Sequence, residues 1–481
     1  MGDSFHIENF GCRAARADGE AVGDRLRAAG LGERQPSAAD LIVVNTCSVT
    51  AEADRAARAF IRRANRFNPA ARIVVTGCYA QRDPQELARM AGVAAVVGNS
   101  HKALAPEIIL DLLGQAQPTA VGSLIQIQAA TNPERAKSEQ LASPQVIWAD
   151  DRFAHSFLED AQLVPGAQTR PNLKIQEGCG NRCTFCVIPQ TRGGSKSLAS
   201  AAVLKQVEGF VAAGGNELVL SGINLGRWGR DLAEGGAGSL ARLVRMIFAQ
   251  TDLPRLRLSS IEPMDWNAEL IGLMAEFGGK RLARHAHLPL QSGSDGVLRR
   301  MHRRYRPWHY AGKVEALLQA AGPELTLGAD MMVGFPGETD AEFEETLALV
   351  RALPFGYLHL FPFSPRPGTP GWEMHREHPV RQPVVEARMA ALRALAAEKS
   401  ASHRGGFAQR ELEAITLHTA ADLESSGRTT AMSENFLPVE IEGRMPANRM
   451  VRVKVTGLTA DGVLNAVEAA RIQYNATAMS V

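Results

Sequence analysis

Two stretches of this chain alternate short apolar runs with segments of helical period, and that alternation restricts the fold more than any other feature. In the first, the runs are SFHIENFG (4–11), LIVVNTCSV (41–49), RIVVTGCYA (72–80) and AAVVG (94–98). Helical stretches near 18–30, 52–68, 84–91 and 102–113 lie between and after them. Apolar strands joined by helices imply a parallel sheet covered on both faces, so residues 1–113 are expected to form an open parallel α/β domain. Ligands of such sheets gather outside the carboxyl ends of the strands. Cys12, Cys47 and Cys78 all fall at that edge.

The second stretch runs from 171 to near 370. Its strand candidates are LKIQEG (173–178), ELVLSGIN (217–224), RLRLSSIEP (255–263), HAHLPLQSG (285–293), LTLGADMMVGF (325–335) and YLHLFPFSP (357–365). Six such βα units fit a partial, open (βα)6 TIM-like barrel. With the helical residues 380–400 it makes a core of 171–400. Residues 114–170 are polar and poorly periodic, a linker with one or two ordered pieces. The tail, 401–475, carries the runs ELEAITLHTA, FLPVEIEG, RMVRVKVTGL and GVLNAVEAARI, which suit a small β-barrel. The fold class is therefore α/β with an added β module.

At 481 residues, two or three domains are expected. No apolar run reaches the roughly 18 residues of a membrane span. The N-terminus lacks the basic and apolar regions of a signal peptide, which makes the cytoplasm the expected compartment. In that reducing setting clustered cysteines bind metal or do chemistry more often than they form disulfides. The net charge of +2 requires any nucleic-acid footprint to be local. Nothing in the chain demands more than a monomer.

All six cysteines fall into two sets of three. Cys179, Cys183 and Cys186 form a C-x₃-C-x₂-C loop after the first barrel strand. Structural zinc takes four protein ligands, and no fourth Cys or His lies near this loop. A 4Fe–4S cluster held by three thiolates keeps one iron open to a small ligand. A lone buried Cys is most often a small hydrophobe. Three at three strand ends point instead to a second three-thiolate cluster on Cys12, Cys47 and Cys78. Ser221, Glu262, Gln291 and Asp330 also end barrel strands, where they can either meet a cofactor or cap the next helix. Arg55, Arg58, Arg62 and Arg66 share one helical face. The run Arg299–Arg306 is denser and includes Tyr305, an aromatic able to stack on a base. Arg55, Arg58, Arg62, Arg303 and Arg304 are the candidate RNA contacts, against the alternative of a solvated helix face.

The C-x₃-C-x₂-C loop is the radical S-adenosylmethionine (SAM) signature. Beyond it, the chain resembles the methylthiotransferase family through FGCRAARADGEAV, NTCSVTAEADRAAR, VVTGCYAQRDPQEL, LKIQEGCGNRCTFCVIPQTRGGSKS, HLPLQSGSDGVLRRMHRRY, DMMVGFPGETDAEFEET and FPFSPRPGTPGWEM. TAMSENFLPVEIEG resembles the core strand of the family's C-terminal RNA-binding TRAM domain, with Phe436 where Tyr is common. The resemblance implies a radical cluster on Cys179, Cys183 and Cys186, with Phe185 near the adenine of SAM. Ser221, Glu262, Gln291 and Asp330 would be further cofactor contacts. It implies an auxiliary 4Fe–4S cluster on Cys12, Cys47 and Cys78 that supplies sulfur, an external electron donor, and tRNA as the partner.

Family branches act on threonylcarbamoyladenosine in tRNA, on isopentenyladenosine in tRNA, or on an aspartate of a ribosomal protein. NTCSVTAEADRAARAFIRRANRFNPAARIVVTGCYAQ and SGINLGRWGRDL are most similar to the first. The expected activity is insertion of a methylthio group at carbon 2 of threonylcarbamoyladenosine beside the anticodon. The reading from another class is a non-catalytic, metal-containing RNA-binding protein.

Overall fold

A computed structural model describes residues 3–114, 146–156, 170–232 and 238–471. Two compact units emerge. The first is Met1–Gln162 together with Glu177–Asn181 and Cys186–Lys196. The second comprises Leu163–Gln176, Arg182–Phe185 and Ser197–Val481.

In the first unit, strands β1 (Ser4–Asn9), β2 (Gly32–Glu33), β3 (Leu41–Thr46), β4 (Arg72–Gly77), β5 (Val93–Gly98) and β6 (Val146–Trp148) form one parallel sheet in the order β2-β1-β3-β4-β5-β6. Alternate residues face opposite layers, as strand geometry requires. Ile42, Val44, Ile73 and Val75 pack on α2 (Ala51–Phe67), α3 (Cys78–Arg82) and α4 (Pro84–Ala88). Leu41, Val43, Val74 and Val97 pack on α1 (Arg13–Ala28) and α5 (Ala105–Leu112). Both faces are thus apolar, which is why the strands read as continuous apolar runs. The strand read through 80 ends at Gly77, whose φ of +99° turns the chain so that Cys78 starts a helix. The segment 114–170 contains β6, paired to β5; residues 115–145 and 157–169 of it lie outside the described residues.

The six expected barrel strands are β7 (Asn172–Glu177, in the second unit as far as Gln176) and, wholly in the second unit, β9 (Glu217–Gly222), β10 (Arg255–Leu258), β11 (His285–His287), β12 (Thr326–Val333) and β13 (Phe355–Pro362). β10-β9-β7 continue to the two-residue β8 (Lys196–Ser197), and β11-β12-β13 form a second parallel sheet. Bridging hydrogen bonds from Leu256 N to Arg281 O (2.8 Å) and Ile261 N to His287 O (3.0 Å) join the two. The strand expected over 285–293 stops at His287, and Gln291 takes a left-handed φ of +66°.

The tail closes into a five-stranded barrel, β14 (Glu411–Thr416), β15 (Arg428–Ser433), β16 (Pro438–Glu442), β18 (Leu464–Arg471) and β17 (Met450–Leu458). Its core is Leu412, Ala414, Val439, Ile441, Val451, Val453 and Leu464. β15 escapes a periodicity reading because its inward residues are Thr429, Ala431 and Ser433. Among the described residues no helix is long and apolar enough to cross a membrane.

Candidate functional site

In the first unit the three dispersed cysteines meet at the carboxyl edge of adjacent strands. Cys12 precedes α1, Cys47 follows β3, and Cys78 follows β4. Cys12 is exposed, whereas Cys47 and Cys78 are buried. Two glycines permit the convergence. At Gly11, φ is +104° and a Cβ would lie 2.5 Å from Cys47 Sγ. A Cβ on Gly77 would lie 2.3 Å from Thr46 O. Asn45 ties the edge together by donating to Asn9 Oδ1 (2.9 Å) and to the carbonyl of Ala15. Burial, followed by the neighbouring Cys78 and Cys12 sulfurs, pushes the Cys47 thiol up to about 12. A thiol buried this way resists ionisation unless a cation joins it, which is the condition a metal cluster satisfies.

Around Cys78 lies a buried charged shell. Asn99 Nδ2 (3.3 Å) and Arg192 Nε (3.2 Å) donate to its sulfur. Arg192 Nη1 also donates to Glu177 (2.7 Å) and Asp18 (3.1 Å), and Lys102 Nζ donates to the same two carboxylates at 2.9 Å. All four charged side chains are at most 4% exposed. Pairing two cations with two anions offsets the cost of burying charge at this depth. Arg192 Nη2 and Ser48 Oγ are buried donors without a partner among the described residues, and inorganic sulfide would accept from either. The donor set and its shell fit an iron–sulfur cluster. Sequence reading missed Arg192, Asn99, Lys102 and Asp18, since nothing in spacing joins residues so far apart.

The C-x₃-C-x₂-C cysteines are all half-buried. In the first unit, the Cys179 amide donates to Gly193 O (3.0 Å), and Asn181 N donates to Cys179 Sγ (3.4 Å). In the second unit, Arg303 Nη1 donates to Cys183 Sγ (3.3 Å). The same guanidinium holds Glu262 (2.5 Å) and Tyr305 Oη (3.1 Å) and is only 6% exposed. Thr184 is fixed by its amide to Met301 O (3.2 Å) and its hydroxyl to Arg300 O (2.9 Å). Phe185 beside it is half-buried.

None of the four polar residues at the strand ends caps a following helix through its side chain. α8 (Leu240–Gln250), α9 (Ala268–Phe277) and α12 (Asp340–Ala352) are capped by Ser239, Asn267 and Thr339 instead. Ser221 Oγ and Gln291 Oε1 are buried without a partner among the described residues. Gln291 is pinned by Asp330 O (2.8 Å) and Met332 N (2.8 Å), so its unfavourable backbone is imposed by the sheet. Glu262 is engaged by Arg303, and Asp330 by two histidines, His287 (3.1 Å) and His359 (3.3 Å). Gly334, Pro336 and Gly337 form a turn whose Gly334 amide donates to Glu338 (2.8 Å), itself paired with Arg388 (2.9 Å).

The expected RNA contacts divide. Arg55, Arg62 and Arg66 are exposed on α2, and Arg304 is exposed on its loop. Arg58 is instead turned onto Tyr79 and Glu86. Arg303 and Tyr305 must be corrected: both are buried, and the guanidinium spends its donors on Cys183, Glu262 and Tyr305. The exposed aromatic nearby is Trp308, 58% exposed.

Against known proteins, two family profiles match: residues 4–98 fit "Uncharacterized protein family UPF0004" and residues 173–350 fit the radical SAM superfamily. The chain is 33% identical to the threonylcarbamoyladenosine tRNA methylthiotransferase MtaB of Bacillus subtilis, over 94% of this chain and 93% of that one. The Aquifex aeolicus protein of the same name is 30% identical over 93% and 99%. A tRNA-2-methylthio-N(6)-dimethylallyladenosine synthase of a Parafrankia species is 33% identical over 95% and 84%. Among solved structures, a radical SAM methyltransferase from Kitasatospora setae superposes with a TM-score of 0.50 at 14% identity, covering 77% of each chain, a likeness of fold. This is a radical SAM enzyme, a class that works with SAM and a 4Fe–4S cluster. Within that class, the chain belongs to the methylthiotransferase family.

Proposed function

We propose that this enzyme inserts a methylthio group at carbon 2 of N6-threonylcarbamoyladenosine in tRNA. The observation that carries the reading is likeness across nearly the whole chain to relatives of that name, together with two separate sets of three cysteines. Cys179, Cys183 and Cys186 hold the radical cluster in this reading, and Cys12, Cys47 and Cys78 hold an auxiliary one. When bound, the first cluster supplies an electron that cleaves SAM, and the second supplies sulfur.

The chain's own residues do the rest. Arg303 positions the Cys183 thiolate and neutralises part of its charge, with Glu262 fixing the guanidinium. Arg192 and Asn99 do the same for Cys78. Ser221 and Gln291 offer unused polar atoms to a bound cofactor, and Phe185 an apolar surface. Arg55, Arg62 and Arg304, with the C-terminal barrel, attract the tRNA backbone. The reaction draws on an external electron donor, in the cytoplasm, with the chain acting as a monomer.

Gly11→Ala would force a methyl group into Cys47 and strain a left-handed turn. Iron in the reconstituted protein should fall from about eight to about four atoms per chain. Retention of full iron would contradict a cluster at this edge of the sheet. Reversing charge at Arg55, Arg62 and Arg66 together should weaken tRNA binding and lower the slope of log K against log salt by about two or more. An unchanged slope would make that helix face a solvated one.

The substrate is tested by mass spectrometry of tRNA nucleosides from cells with and without the gene. Loss of the methylthio form of threonylcarbamoyladenosine, with its precursor accumulating, is expected. The dimethylallyladenosine relative motivates the second reading, in which the isopentenyl nucleoside is the one affected.

A further inference from the structure

The second unit contains a cluster that neither three-cysteine set uses. His287 on β11, Asp330 on β12 and His359 on β13 come from three adjacent parallel strands. Their register sets them together: His287 pairs with Gly328, and Asp330 pairs directly with His359. Gly328 and Asp330 are two residues apart, so the three side chains share one sheet face. One ligand atom from each lies within 4.8 Å of the others. His287 Nε2 and His359 Nδ1 both approach the same oxygen, Asp330 Oδ1, at 3.1 and 3.3 Å.

We propose that His287, Asp330 and His359 form a binding site for a divalent first-row transition ion of the zinc type. Metal–ligand bonds of about 2.0–2.2 Å place neighbouring donors about 3.0–3.5 Å apart, the spacing of both imidazole nitrogens from Asp330 Oδ1. Two imidazoles and one carboxylate, with no thiolate, suit zinc or ferrous iron and recur as a facial set with open positions. The site is also built from outside. Tyr357 Oη lies 3.0 Å from His287 Nδ1 and 2.7 Å from His285 Nε2, so the nitrogen of His287 turned away from Asp330 is engaged. Such a contact fixes the ring and tautomer of a metal-binding histidine. Tyr357 reaches that position because residue 328 is glycine, where a Cβ would lie 2.1 Å from the Tyr357 ring.

Burial grades across the cluster. His287 is 6% exposed, whereas the His359 side chain is 60% exposed. An ion held here is reached from the His359 side. Three protein donors leave at least one coordination position for an oxygen ligand, as in catalytic and binding sites rather than closed structural ones.

Zinc chloride is the probe. Full-length, anaerobically reconstituted protein is equilibrated with zinc, desalted, and assayed for zinc and iron, with zinc-edge X-ray absorption on the same sample. The wild type should retain about one zinc per chain with nitrogen and oxygen donors only, iron unchanged. His359→Ala and Asp330→Asn should each bind zinc about tenfold or more weakly, with iron still unchanged. Should Asp330→Asn fail to fold, His359→Ala carries the test, because its side chain is mostly solvent-exposed. Equal zinc binding in the variants, no zinc retained by the wild type, or zinc–sulfur scattering would each overturn the site. The readout does not depend on methylthiolation, so its failure leaves the proposed reaction untouched.

Discussion

Replacing Cys47 with alanine should leave reductive cleavage of SAM intact while abolishing methylthio product; replacing Cys183 should abolish both. The two effects separate because the thiols belong to different sets. Cys47 sits at the edge of the first unit's sheet, buried against Cys78 and Cys12. Removing it leaves a two-thiol set that cannot hold the three-Cys cluster, while the C-x₃-C-x₂-C loop keeps its own hydrogen bonds. Cys183 is one of three cysteines on a loop where no other cysteine is near in sequence. Its loss also takes one partner from the buried Arg303, which donates to its sulfur. The paired readout is 5′-deoxyadenosine against modified nucleoside. Product from Cys47→Ala enzyme would contradict the auxiliary set, and SAM cleavage by Cys183→Ala enzyme would contradict the radical set.

Arg192→Met should be the most damaging substitution outside the cysteines. The methionine conserves volume but removes one of the cations that pair with Asp18 and Glu177, all fully or almost fully buried. Breaking a buried network from one side costs about 3–5 kcal/mol, because the charge left behind has no water to solvate it. Cys78 loses a donor at the same time. Expected results are a lower unfolding midpoint and loss of the auxiliary iron, with restoration by neither salt nor Arg192→Lys, which lacks the forked geometry. A variant as stable as wild type, with full iron, would show that the shell is dispensable.

How much of this was readable beforehand depends on the length scale of each signal. The strands β3, β4, β5, β9 and β12 were legible because both faces are buried, which writes an unbroken apolar run. The two-residue β2 and β8, and β6, are too short to carry a period. Helix starts at Thr50 and Thr339 follow capping chemistry visible in the sequence. The cysteines were legible because spacing and strand ends are local properties.

Their shells were not. Asp18, Asn99, Glu177 and Arg192 meet only after the chain folds, and a buried Arg reads like a surface Arg in a string of letters. Arg303 is the clearest instance: embedded in the most basic run of the chain, it looked like a phosphate contact, and the fold turns it inward onto a thiol. His287, Asp330 and His359 likewise lie in three separate runs, and only strand register brings them face to face.

The central claim is tested most directly with purified, reconstituted enzyme, SAM, a low-potential reductant and two tRNA substrates in competition. One carries threonylcarbamoyladenosine beside the anticodon, and the other carries isopentenyladenosine. Mass spectrometry of the digested nucleosides should show the methylthio group on threonylcarbamoyladenosine alone. Modification of the isopentenyl nucleoside with the other unchanged would contradict the account, and so would SAM cleavage without methylthio product on either.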